Sequence, residues 1–224
     1  MKKMRQRKLI LTLIVSLQLI STADAKTHRI IPRTIIRNTD ATEAGGSRRV
    51  ALVIGNGAYK NVAPLENPTN DARDMARTLK KLNFDVTLGL DQTRIQMHRS
   101  LRTFGQKLKK GGTGLFFYAG HGIQVNGINY LLPVGADIAE EDEVSDEAVK
   151  ADLVLRKMRS ASNGMNFVIL DACRNNPFAR KWQYAERGLE EGGLSAMPAP
   201  SGVIIFYAAR PGETAKDGHR RNSP

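Results

Sequence analysis

The chain of 224 residues has one cysteine, Cys173, in the segment Asp171-Ala172-Cys173-Arg174, and a histidine set between glycines in Gly120-His121-Gly122. A thiol is a strong nucleophile as the thiolate, and an imidazole within reach can take its proton or stabilise the anion. Brought together, the two groups suit covalent attack on a carbonyl carbon. Gly122 has no Cβ and would let a substrate carbonyl come close, so the N–H groups of Gly122 and Cys173 are candidates for an oxyanion hole. Residue types leave bland alternatives open: Cys173 as a small buried hydrophobe, and His121 as a turn residue between glycines.

Both residues follow short apolar runs that read as strands, 114–118 before His121 and 167–170 before Cys173. Between them Ala148, Ala151, Leu155 and Met158 recur at helical spacing, which predicts a crossover helix. A strand, a crossover helix and a parallel strand leave both carboxyl ends on one edge of the sheet, where open α/β folds bind ligands. Neighbouring strands lie about 4.8 Å apart, close enough for the two side chains to converge.

The preceding sequence repeats this alternation. Residues 50–54 and 85–88 read as strands, and a helix following Asn70 carries Ala72, Met75, Ala76 and Leu79 on one face. A second helix opens at a Thr93-x-x-Gln96 capping box, turns Met97, Leu101, Phe104 and Leu108 inward, and stops at Gly111-Gly112. A fifth strand covers 203–207. The expected fold is α/β, a mostly parallel sheet flanked by helices on both faces, occupying residues 49–224.

The N-terminus reads differently. Lys2, Lys3, Arg5, Arg7 and Lys8 precede an apolar run over 9–20 and then Ala23-Asp24-Ala25, the pattern of a secretory signal peptide over 1–25. The run is short for a bilayer crossing of about 20 residues, so no stable membrane span is expected after cleavage, and an exported, periplasmic or secreted location is. Residues 26–48, with Pro32 and Gly45-Gly46, read as a flexible linker. Hydrophobic residues at 41% and a lone cysteine exclude a disordered or disulfide-stapled chain. The net charge of +12 suits a solvated basic surface; interleaved aromatics on the basic helix are lacking, and no nucleic-acid partner is expected.

The segments Tyr118-Ala119-Gly120-His121-Gly122 and Asp171-Ala172-Cys173-Arg174-Asn175-Asn176-Pro177 resemble the histidine and cysteine motifs of caspase-like peptidases, particularly the bacterial metacaspase-like group. Their separation agrees with the caspase pattern of a histidine about 50 residues before the cysteine. The resemblance implies a caspase-hemoglobinase three-layer sandwich and a cysteine endopeptidase, with His121 and Cys173 on its catalytic dyad. It also implies a specificity. Caspases that cut after Asp line the pocket with arginines and a glutamine two residues before the cysteine, and that glutamine position is Asp171 here. A pocket arginine, counted from Pro211-Gly212, falls on Asp217, and Asp71 is similar to an acid in the metacaspase basic-residue pocket.

Three carboxylates would select Arg or Lys by charge-assisted hydrogen bonds, so protein or peptide substrates with basic residues are expected. Each acid has a local alternative: Asp71 at a helix N-terminus, Asp171 on backbone donors, Asp217 in a turn before Gly218. The resemblance further implies continuation past Pro224 by a helix, a strand and another helix; on that expectation the fold is C-terminally incomplete, with a caspase-fold scaffold or interaction module as the alternative function. Some metacaspases need calcium. The acidic run Glu140-Glu141-Asp142-Glu143 with Asp146 and Glu147 suits a hard cation in composition, but it has no EF-hand spacing and reads first as a solvated loop; no other metal site is expected. His28, His98 and His219 have no zinc spacing, and Gly55-Asn56-Gly57 lacks the third glycine of a dinucleotide loop. Trp182 and Tyr184 are open between substrate contact and packing, and Arg180, Lys181 and Arg187 offer sites for self-cleavage.

Overall fold

A computed structural model describes residues 48–173, 176–178, 182 and 194–208, Cys173 through its backbone alone. Strand β1 (Arg49–Gly55) is followed by helix α1 (Pro68–Lys81), β2 (Asp85–Leu90), α2 (Arg94–Leu108) and β3 (Thr113–Val125). Then come β4 (Ile128–Leu131), a 3-10 turn (Glu141–Glu143), α3 (Val144–Glu147), β5 (Val149–Lys150), α4 (Asp152–Ala161), β6 (Asn166–Cys173) and β7 (Val203–Tyr207). The strands β2, β1, β3, β6 and β7 pair in that order, all parallel. The far half of β3 continues beyond this sheet and pairs antiparallel with β4, which pairs with β5.

Strand alternation sorts the side chains into two layers. Val50, Leu52, Ile54, Phe116, Tyr118, Val168 and Leu170 pack with Met97, Leu101, Phe104 and Leu108 of α2 and with Val154, Leu155 and Met158 of α4. Ala51 and Val53 point the other way, toward the face covered by α1, whose Ala72, Ala76 and Leu79 are buried. A Cβ on Gly55 would lie 2.6 Å from the Ala72 Cβ, so the first turn of α1 rests directly on the end of β1. The fold is thus the three-layer α/β sandwich with a mostly parallel core.

Local chemistry accounts for the boundaries. The Thr93 side chain accepts from the Gln96 N–H and the Gln96 side chain from the Thr93 N–H, closing the expected capping box of α2. Helix α1 starts earlier than expected, at Pro68, because proline suits the first helical position, where its absent N–H has no partner to lose. The crossover segment departs further from expectation: Ala148 and Ala151 lie outside any long helix, and only Leu155 and Met158 of the expected face belong to α4. Val149 is buried and Lys150 exposed, a period of two, and they pair with Leu131 and Tyr130 as β5. Short β4 and β5 were not expected at all. Asn126 and Gly127, at φ of 50° and 76°, form the two-residue turn between Val125 and Ile128, and that Asn-Gly pair is the sequence signal for the hairpin.

Candidate active site

His121 and Cys173 are Cα partners at the last register position of the parallel β3–β6 pair. Both strands run past the points at which the sequence pattern ends them, Tyr118 and Leu170, so the two residues do not leave the sheet in turns; they close its ladder. The ladder holds their backbones side by side at the carboxyl edge, as the topology requires.

His121 is buried, and its ring is fixed by backbone. Nε2 lies 2.8 Å from the Ala63 carbonyl oxygen. A carbonyl only accepts, so Nε2 carries the proton and donates it, which assigns Nδ1 as the basic nitrogen of the neutral ring. On the main chain, the His121 N–H donates to the Tyr59 hydroxyl at 2.8 Å. The His121 carbonyl accepts from the Leu132 N–H at 3.0 Å and from the Tyr118 hydroxyl at 2.7 Å.

The same contacts orient Gly122. Because Leu132 N–H bonds to the His121 carbonyl, Gly122 and Leu131 face each other as a pair that exchanges no hydrogen bond between its own peptide groups. The Gly122 N–H is therefore turned from β4 toward the β6 side. A Cβ there would come within 3.0 Å of Leu194 Cδ2 and 3.1 Å of Ala172 Cβ, so the site has room for a backbone but little for a side chain.

Gly120 has a different task. With φ at 152°, a Cβ on it would lie 2.6 Å from the Tyr59 hydroxyl, 2.8 Å from the Tyr118 hydroxyl and 3.0 Å from the Asn56 carbonyl oxygen. Gly120→Ala should displace both phenols that hold the His121 peptide and destabilise the fold by about 1–3 kcal/mol, the usual cost of forced overpacking. A thermal midpoint equal to that of the unaltered chain would contradict this packing.

The expected pocket acids are placed unevenly. Asp171 is half-buried on β6, its Cα opposite Ala119, whose other neighbour is Gly55. Asp71 is buried in the first turn of α1, over the β1 end, with its N–H donating to the Asn67 carbonyl at 2.9 Å. Asp171 thus stands on β6, two strand spacings, about 10 Å, from the β1 end that Asp71 overlies. Asp217 lies outside the described residues, as do His28, His219, Tyr184, Arg180, Lys181 and Arg187.

Other candidates resolve into structure. Trp182 is buried and stacked on Phe178 at 5.7 Å between ring centroids, which is packing. Asn56 gives its amide to the Leu132 carbonyl at 3.0 Å and takes the Gln92 N–H at 2.9 Å, so Gly55-Asn56-Gly57 braces a loop. In the acidic run, Glu143 Oε2 accepts the N–H groups of Ala139 and Glu140. Among the described residues no group of three or more His, Cys, Asp or Glu could hold a metal ion, and no helix is long and apolar enough to cross a membrane. His98 sits on α2, where burial, and then Arg94, Arg102 and Lys157, hold its pKa below the ordinary histidine value.

Two contributors carried no residue-type signal. The Ala63 contact uses a backbone carbonyl, which any residue supplies, and Tyr59 lies far from either motif in sequence.

Residues 48–224 match the family described as Caspase domain. Over 126 residues the chain is 33% identical to the human mucosa-associated lymphoid tissue lymphoma translocation protein 1, and equally to its mouse homolog. The alignments cover 56% of this chain and 15% of each relative, so the chain spans a small part of the length of the curated relatives it matches. A crystal structure of a Geobacter sulfurreducens protein matches with a TM-score of 0.45 and 19% identity, covering 56% of this chain and 50% of that one.

Proposed function

The chain belongs to the Caspase domain family, a family of cysteine peptidases, and on that premise we propose that it is an endopeptidase that works through His121 and Cys173 and cuts after Arg or Lys. The observation that carries the reading is the register of His121 against Cys173 at the carboxyl edge, with Nε2 of His121 committed to the Ala63 carbonyl.

In this mechanism the Cys173 thiol gives its proton to Nδ1 of His121, and the thiolate attacks the scissile carbonyl carbon. The N–H groups of Gly122 and Cys173 receive the negative charge that develops on the carbonyl oxygen. Collapse of the tetrahedral species breaks the C–N bond, and Nδ1–H passes its proton to the departing amine. Water, deprotonated by the same nitrogen, then attacks the thioester, releasing the acid and restoring the thiol.

Asp71 and Asp171 are the proposed seats for the substrate cation, joined by Asp217 in the same reading. Export of the chain and activation by cutting near Arg180, Lys181 or Arg187 are parts of the same proposal, in which no cofactor is required and calcium enters only as a condition of the assay. Paired fluorogenic peptides ending in Arg and in Asp, with and without calcium, test it. Hydrolysis of the Arg peptide alone is expected. Hydrolysis of the Asp peptide alone would overturn the specificity, and a folded chain that cuts neither would be a caspase-fold interaction module.

A further inference from the structure

We propose that Tyr59 is a positioning residue for His121, holding its peptide N–H through the hydroxyl and its imidazole through the ring; the proposal rests on the peptidase reading above. The Tyr59 ring lies 4.6 Å from the imidazole, centroid to centroid, tilted by 51°. Its hydroxyl takes the His121 N–H at 2.8 Å and lies 3.3 Å from both the Leu132 carbonyl and the Tyr118 hydroxyl. One side chain therefore fixes the main chain of the histidine and packs against its ring.

The loop that brings Tyr59 is itself braced. The Asp91 carboxylate accepts the N–H groups of Gly57 at 2.8 Å and Ala58 at 2.9 Å, and the Leu65 N–H returns to the Gly57 carbonyl at 3.0 Å. The Lys60 N–H bonds to the Val134 carbonyl at 3.1 Å. This loop also presents the Ala63 carbonyl to Nε2. It grips His121 at three points, the peptide N–H, the ring face and Nε2, and Tyr59 supplies two of them. A proton acceptor must sit within a fraction of an ångström of its donor geometry, so loosening the grip lowers the chemical step more than it lowers substrate binding.

Filling the core is the competing role, and conservative variants separate the two. Tyr59→Phe keeps the ring and loses the hydroxyl; Tyr59→Leu keeps an apolar side chain and loses both. On the Arg peptide, kcat is expected to fall about 10-fold for Tyr59→Phe and about 100-fold for Tyr59→Leu, with KM unchanged. The second readout needs no substrate. Cys173 is the only cysteine, so its alkylation by iodoacetamide at neutral pH reports how well the imidazole serves the thiol. Alkylation should slow in the same order, with Tyr59→Phe between the unaltered chain and Tyr59→Leu. Folded variants with unchanged kcat and alkylation, or a loss confined to KM, would overturn the proposal. Failure of the underlying reading looks different: the unaltered chain would cut neither peptide, and His121→Ala would alkylate at the unaltered rate.

Discussion

Cys173→Ala is expected to reduce hydrolysis of the Arg peptide by roughly 10³-fold or more without altering the fold, and His121→Ala to do nearly as much. The two residues are proposed to act as one unit, a thiol that needs a base and the imidazole beside it. Their register on neighbouring parallel strands is what makes the unit possible, since the ladder fixes both backbones at the end of the sheet. The double substitution should therefore cost little more than either single one. Circular dichroism and the thermal midpoint check the fold, and steady-state rates check the loss. Two single losses that multiply in the double variant would contradict a shared function.

Asp171→Asn carries the second large effect. Asparagine keeps the size and hydrogen-bonding shape of the residue and removes its charge, so the change isolates the electrostatic part of the pocket. A hydrogen bond to a charged partner contributes about 1.5–3 kcal/mol, and its loss should lower kcat/KM on the Arg peptide by about 10- to 100-fold. The thiol should alkylate as before, because Asp171 is assigned to the substrate and not to the dyad. Asp71→Asn should act in the same direction. It is buried in a helix turn, so its thermal midpoint must be measured beside its rate. An Asp171→Asn chain that cuts the Arg peptide at the unaltered rate would remove that acid from the pocket.

The parts of the molecule that sequence revealed are those with a period or a punctuation mark. Met97, Leu101, Phe104 and Leu108 repeat at helical spacing behind a capping box, and α2 follows them. Apolar runs before His121 and Cys173 place both at the carboxyl ends of parallel strands, and the β3–β6 pairing joins them. The fold class and the juxtaposition of the candidate dyad were legible on those grounds.

What escaped is what spacing does not encode. Ala148 and Ala151 fit a helical period, yet Val149 and Lys150 are claimed by the preceding strand β4, outside the reach of a helical repeat, so tertiary pairing overrides the local pattern. The turn glycines around His121 look like loop residues, but Gly120 serves close packing against two phenols and the strand runs on to Val125. Ala63 and Tyr59 enter the site through the folding of one loop, which only three-dimensional contacts disclose.

The most direct test of the account is to label the folded chain with two peptidyl chloromethyl ketones, one ending in Arg and one in Asp, and to locate the adduct by mass spectrometry. The thiolate displaces chloride and forms a thioether, so the reaction needs an activated cysteine and a pocket that accepts the terminal side chain. A single adduct is expected, on Cys173, from the Arg reagent, with none from the Asp reagent and none on Cys173→Ala. A folded chain that the Arg reagent leaves unlabelled, or that the Asp reagent labels equally well, would contradict it.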